Sequence, residues 1–205
     1  MKNSALQRCV HAISFRPALK QPVLPEPVTA PHCLSTRTKV NHGLYSALTP
    51  SHAATLMGTL SVILERAKDR AAELDLPYAG ALIPAEAWAI WQNAPGAKLV
   101  DVRTRAEWDW VGRIPGAVEI EWQGYPGGQP NSDFLAQLKR QVDAESLVMF
   151  ICRSGARSHN AACLATEAGF SACYNVLEGF EGNVDASGQR GKLGGWRFAG
   201  LPWHS

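Results

Sequence analysis

The sequence has no long apolar run and no basic surplus in its patterned part. A transmembrane helix needs about 20 consecutive apolar residues, and no stretch of the 205 residues approaches that length, so we expect no membrane insertion. Residues 1 to 56 hold six of the 20 Lys and Arg but only one of the 18 Asp and Glu. The remainder is therefore slightly acidic, and we expect no nucleic-acid partner, because nucleic acids are bound by clustered basic side chains.

The sequence also lacks paired cysteines and zinc-ligand spacing. Its five cysteines are Cys9, Cys33, Cys152, Cys163 and Cys173, with no CxxC pair and no His at ligand distance along the chain. An odd, irregular set predicts free thiols in a reducing compartment, not a disulfide framework or a metal site. We therefore expect a cytoplasmic protein that needs no metal and no other cofactor.

Composition divides the chain into three segments. Residues 17 to 31 carry five prolines, which disfavour both helix and central strand, so residues 1 to 56 are predicted to be a disordered leader or the product of a start assigned too early. Their basic, acid-poor character leaves organelle import as an alternative. Residues 57 to 79 are predicted to contain an amphipathic helix, over residues 59 to 74, and residues 80 to 205 to form the folded domain.

Strand and helix patterns alternate from residue 80 onward. The predicted strands are 80–82, 98–102, 117–120, 147–151 and 172–176, and the predicted helices are 84–91, 104–110, 131–142 and 158–168. This alternation is typical of an α/β fold with a parallel sheet and helices on both faces. Residues 182 to 194, rich in Gly and polar side chains, are predicted to be a surface loop whose role the sequence leaves open.

The most informative stretch is the apolar run 147–151 followed by CRSGARS and a helical pattern. Cys152 is the first residue after the predicted strand, at the sheet edge where ligands of such folds bind and where amides that open a helix attract anions. Loop amides together with Arg153 and Arg157 should favour the thiolate and make it nucleophilic. We expect this thiol to be exposed and the first to be oxidised, and Cys163 and Cys173 to lie in the core.

The CRSGARS segment resembles the active-site loop of the rhodanese family of sulfurtransferases. Other matches follow in the family's order: LVDVR at 99–103, Glu107, GRIPGA at 112–117, VLEGF at 176–180 and GWRFAGLP at 195–202. Each motif alone is common, but five in register over about residues 80 to 205 are specific. Arg113 and Phe180 stand where the family usually has His and a second Gly, and we expect altered packing there without loss of activity.

The resemblance implies a rhodanese-like three-layer α/β/α domain with a mainly parallel five-stranded sheet. It also implies a two-step reaction in which a donor such as thiosulfate gives its outer sulfur to Cys152. The persulfide then passes this sulfur to a thiophilic acceptor, which is cyanide, a thiol or a partner protein.

Roles for further residues follow from the same resemblance, position by position. Asp101 and Arg103 would support the loop or the fold through an ion pair. The remaining residues would bind the small anionic donor or hold the persulfide: Arg153, Arg157, Ser154, Gly155, Ala156 and Ser158.

Two other functional classes stay open from sequence. A non-catalytic binding or regulatory module on the same fold is one, since fold does not fix function, although the presence of Cys152, both arginines and Gly155 argues against it. A cysteine phosphatase or arsenate reductase is the other. Those enzymes place five residues between Cys and Arg to wrap a tetrahedral oxyanion, whereas four separate Cys152 from Arg157, and the smaller ring suits a single sulfur atom better.

Overall fold

One long helix precedes a regular alternation of strands and helices. The computed structural model describes residues 50 to 205, and for residues 50 to 57 only the backbone. The elements in chain order are α1 (Pro50–Glu73), β1 (Gly80–Leu82), α2 (Pro84–Asn93), β2 (Lys98–Asp101), α3 (Arg105–Val111), β3 (Val118–Glu119), α4 (Phe134–Gln141), β4 (Leu147–Ile151), α5 (Ala156–Glu167) and β5 (Ala172–Val176).

The N-terminal helix is the element that differs most from its prediction. α1 begins at Pro50, nine residues before the expected start, and proline is favoured in the first turn of a helix because it has no N–H to leave unpaired. Residues 1 to 49 of the predicted leader lie outside the described residues. α5 begins at Ala156, two residues before its predicted start, so the loop after Cys152 is shorter than the sequence indicated.

The five strands form one sheet in the order β1-β5-β4-β2-β3, and every neighbouring pair is parallel. Alternate residues of β4 face opposite layers. Met149 and Ile151 belong to the core cluster that contains Ile63 of α1 and Ile90 of α2, whereas the ring of Phe150 lies 6.5 Å from that of Phe134 on α4. The predicted three-layer α/β/α architecture with a five-stranded sheet is therefore confirmed, and the sheet is parallel throughout.

A buried tryptophan near the end of the chain packs against the layer that contains α1 and α2. Trp196 is fully buried, packs edge-on against Trp88 and Trp91 of α2, and donates its indole N–H to the carbonyl of Pro202 at 2.9 Å. A buried indole N–H needs such an acceptor. Between residues 50 and 205, none of the helices combines the length and apolar character required to cross a bilayer.

A buried ion pair joins the end of β2 to neighbouring segments. Arg103 donates to the carboxylate of Asp101 through Nε at 3.0 Å and Nη2 at 2.7 Å, and both residues are at most 1% exposed. The same Nη2 donates to the carbonyl of Gly112 at 2.8 Å, and the guanidinium lies 3.8 Å from the centre of the Phe180 ring. The pair therefore links β2 to the turn after α3 and to the segment after β5.

Removing one charge of this pair should destabilise the fold strongly. Asp101→Asn leaves the Arg103 cation buried without its counter-charge, which typically costs about 3 to 5 kcal/mol. Urea denaturation followed by circular dichroism measures the free energy of unfolding. The control Asp109→Asn removes a carboxylate that is 44% exposed and paired with Arg113 at the surface, and it should cost less than about 1 kcal/mol. Equal losses in the two variants would contradict this account.

Candidate active site around Cys152

The loop between β4 and α5 is fixed by a glycine in the left-handed region. Gly155 has φ of +98°, and a Cβ on it would lie 2.0 Å from the carbonyl oxygen of Leu177, so only glycine fits. Asn175 of β5 donates its side-chain N–H to the carbonyl of Gly155 at 3.2 Å. The loop thereby turns sharply enough for α5 to begin at Ala156, four residues after Cys152.

Two donors converge on the sulfur of Cys152. The backbone N–H of Gly155 and the hydroxyl of Ser158 each donate to Sγ at 3.2 Å. Both groups favour a negatively charged sulfur, since hydrogen bonds to an ionised acceptor are stronger than those to a neutral one. Gly155 and Ser158 were among the residues that the sequence indicated, but a direct hydroxyl contact from Ser158 was not foreseen.

The expectation of an exposed thiol is wrong. Cys152 is only 1% exposed, and the amide of Gly155 and the hydroxyl of Ser158 cover part of its sulfur. Cys163 and Cys173 are also buried, at 3% and 1% exposure. Exposure therefore does not distinguish the three cysteines of the described chain.

The turn after β5 makes backbone contacts with the loop that follows β4. The amide of Phe180 donates to the carbonyl of Cys152 at 2.7 Å, and that of Glu181 donates to the carbonyl of Arg153 at 2.9 Å. A Cβ on Gly179, whose φ is +63°, would lie 2.5 Å from the Cys152 carbonyl oxygen. The close approach requires glycine at position 179. At position 180, where the family usually has a second glycine, the Phe180 ring packs against the Arg103 guanidinium.

Arg157 is held by an acidic residue from α3. Its Nη1 and Nη2 donate to the two carboxylate oxygens of Glu107 at 2.7 and 2.6 Å, and the side chains are 16% and 18% exposed. Glu107 also accepts the backbone N–H of Thr104 at 2.9 Å, which completes a capping box at the start of α3. The spacing of Thr104 and Glu107 is a signal of this capping box that the sequence carries, but the link to a residue 50 positions later is visible only in the fold.

The pair sets the charge state of both partners. Burial alone would raise the pKa of Glu107, but the hydrogen bonds from Arg157 and Thr104 outweigh it and lower this pKa to about 2. For Arg157, burial would lower the pKa, yet the bonds to Glu107 prevail and raise it. Both groups are therefore charged throughout the physiological range, and Arg157 already has a counter-ion before any ligand binds.

A pocket of about 490 Å³ opens above the sulfur. Arg153 is exposed at this pocket, and its side chain has no ion-pair or hydrogen-bond partner between residues 58 and 205. Gly155, Ser158, Asp101 and Arg103 are buried and do not line the pocket. The pocket is lined by Thr104, Ala106, Glu107, Trp110, Val111, Gln123, Tyr125, Cys152, Arg153, Ser154, Ala156 and Arg157.

Comparison with known proteins identifies the class of this fold and loop. The sequence model of the rhodanese-like domain matches residues 84–186, half of the chain, and the chain belongs to the rhodanese-like domain family. The crystal structure of Rv0390 from Mycobacterium tuberculosis is 47% identical over 62% of this chain and 98% of its own, with a TM-score of 0.58. Uncharacterised proteins of Rickettsia conorii and Rickettsia rickettsii are 39% and 40% identical, over 52% of this chain and 82% of their own lengths.

The Glu107–Arg157 pair should make stability depend on pH in a defined window. Because the folded-state pKa of Glu107 is about 2 and its ordinary value is 4.5, the stabilisation is fully present above about pH 4.5 and is lost as the pH falls toward 2. The difference in free energy of unfolding between the parent and Glu107→Gln should therefore be constant above pH 5 and shrink below it. Urea titrations at pH 3, 5 and 7 measure this difference.

The control for this experiment is Glu145→Gln, which changes an exposed carboxylate on the loop before β4. Its effect on unfolding should be small at all three pH values, because exposed charges contribute little. A Glu107→Gln penalty that is as large at pH 3 as at pH 7 would contradict the assignment of the pair as the source of the stabilisation.

Proposed function

We propose that this protein is a sulfurtransferase that moves a sulfane sulfur from a donor such as thiosulfate, through a persulfide on Cys152, to a thiophilic acceptor. The observation that supports it best is the pair of donors on a buried sulfur, the Gly155 amide and the Ser158 hydroxyl, beneath a pocket that Arg153 and Arg157 border. Such a site stabilises a sulfur anion and admits a negatively charged reactant.

In the first step, the Cys152 thiolate attacks the outer sulfur of the donor. A new S–S bond forms on Cys152, the S–S bond of thiosulfate breaks, and its electron pair leaves with sulfite. In the second step, an acceptor such as cyanide attacks the outer sulfur of the persulfide, thiocyanate departs and the thiolate is regenerated. The two steps balance without an external oxidant or reductant.

The proposal gives each neighbour of the sulfur a task, and the described contacts support it. Gly155 and Ser158 stabilise negative charge on Sγ, and the amides of Ser154, Ala156 and Ser158 would hold the outer persulfide sulfur as the charge moves onto it. Arg153 has no counter-ion and would attract the donor. Arg157, fixed by Glu107, would orient the donor, because a guanidinium held on one edge retains N–H donors on the others.

Intact-mass spectrometry of the full chain tests the central step. Incubation with thiosulfate should add the mass of one sulfur atom, and cyanide or excess thiol should remove it. Cys152→Ser should show no such gain while keeping its circular dichroism spectrum, because serine is close in size but forms no persulfide.

The other buried cysteines of the described chain provide matched controls. Cys163→Ala and Cys173→Ala each remove a thiol that lies outside the pocket, so both variants should still gain and lose the sulfur. Equal loss in all three variants would remove Cys152 from the role of carrier. A folded parent protein that gains no sulfur from thiosulfate, polysulfide or an organic persulfide would favour the non-catalytic binding module.

Arg153 should act on donor capture more than on bond breaking. Arg153→Ala removes the unpaired cation of the pocket, and we expect the apparent KM for thiosulfate to rise about tenfold with a smaller change in kcat. The matched control is Arg105→Ala, which removes an arginine that is 80% exposed and outside the pocket lining. Steady-state thiocyanate formation at several salt concentrations measures both constants, and an unchanged KM in Arg153→Ala would refute the role.

A further inference from the structure

Two aromatic side chains stand exposed at the mouth of the Cys152 pocket. Trp110 is 76% exposed and Tyr125 is 64% exposed, and both line the pocket. Their ring centroids are 6.0 Å apart with planes at 86°, the edge-to-face arrangement that aromatic pairs favour. The sulfur-transfer chemistry proposed above uses neither of them.

The segments that carry these rings are tied to the site. Trp110 lies in the last turn of α3, the helix that Glu107 attaches to Arg157 of α5. Tyr125 belongs to a segment held by several hydrogen bonds, among them one from the amide of Gly124 to the carbonyl of Gln129 at 2.8 Å and one from the Asn131 side chain to the carbonyl of Glu121 at 2.8 Å. The two rings therefore form an ordered apolar wall beside the reactive sulfur.

The charges of the pocket attract an anion but do not select its size. Glu107 compensates Arg157, so Arg153 remains as the cation that attracts either an inorganic or an organic anionic donor. A small inorganic anion would fill only a fraction of about 490 Å³. The remaining space borders aromatic and aliphatic side chains, which gain free energy from covering apolar surface.

The depth of the sulfur restricts the form of the ligand. Because Cys152 is 1% exposed and lines the pocket, a reacting sulfur must enter the pocket to reach it. A small organic molecule with a terminal sulfur can enter as a whole, whereas a folded protein can present only a side chain there.

We propose that Trp110 and Tyr125 select small organic sulfur donors in which the leaving group that carries the terminal sulfur bears an apolar substituent. This inference rests on the sulfurtransferase function proposed above and names its substrate class. The Cys152 thiolate attacks the terminal sulfur of an organic thiosulfonate, a Cys–S–S bond forms, the donor's S–S bond breaks, and the electron pair leaves with the organic sulfinate. An organic persulfide reacts in the same way and releases its thiolate.

Benzenethiosulfonate and methanethiosulfonate test this selection, because they share charge and reacting atoms and differ in the apolar group. Persulfide formation on the full chain, followed by mass spectrometry, gives kcat/KM for each donor, and the ratio is normalised to the rates with free cysteine. We expect a normalised preference for the aromatic donor of about tenfold or more, expressed mainly in KM.

Alanine variants assign the preference to the two rings. Trp110→Ala and Tyr125→Ala should each lower the ratio severalfold, whereas Phe198→Ala, which removes another exposed aromatic side chain outside the pocket, should leave it unchanged. Both rings are exposed, so their removal should not disturb folding, and circular dichroism checks this.

Each contrary result has a distinct meaning. Equal normalised rates with the two donors would overturn the inference while leaving the sulfurtransferase proposal intact, and would make the aromatic pair a candidate contact for a protein instead. A preference that persists in both alanine variants would overturn the assignment to Trp110 and Tyr125. Failure of both donors and of polysulfide to load Cys152 would overturn the proposed function and the inference together.

Discussion

The candidate site depends on direct contact between two stretches of backbone. The loop after β4 lies against the turn after β5, with the amide of Phe180 2.7 Å from the carbonyl of Cys152. A Cβ on Gly155 or on Gly179 would come within 2.0 and 2.5 Å of backbone atoms of the facing segment. Because backbone cannot move aside as a flexible side chain can, these two glycines are a condition for placing Cys152 beneath the pocket, and the sulfur's two hydrogen bonds follow from that placement.

Compensation of buried charge determines how the site can attract an anion. The Asp101–Arg103 pair fixes the end of β2, and the Glu107–Arg157 pair joins α3 to α5. The first pair is fully buried and the second only partly. Ion pairs withdrawn from water add little net stability compared with apolar packing, so their main consequence is geometric. They also leave Arg153 as the cation of the pocket without a partner among the described residues. The sequence alone did not distinguish Arg153 from Arg157 in this respect.

The elements that local patterns specify were predicted closely. The strands β4 and β5 begin and end at the expected residues, because short apolar runs bounded by loop residues leave little choice of register. The start of α1 was missed, since a polar, proline-initiated turn has no apolar period to mark it. The Glu107–Arg157 pair and the depth of Cys152 were also beyond the sequence, because both arise when α3 and α5 meet at one edge of the sheet.

The burial of Cys152 changes how its reactivity should be understood. Thiol oxidation follows thiolate character and access, and all three cysteines of the described chain are nearly inaccessible, so access alone favours none of them. Cys152 differs because it borders a pocket and accepts two hydrogen bonds from groups that favour an anion. Its chemistry is therefore limited to molecules that enter the pocket. Because Trp110 and Tyr125 line the same opening, the aromatic pair that we propose to select the donor also borders the route by which any other reagent reaches the sulfur.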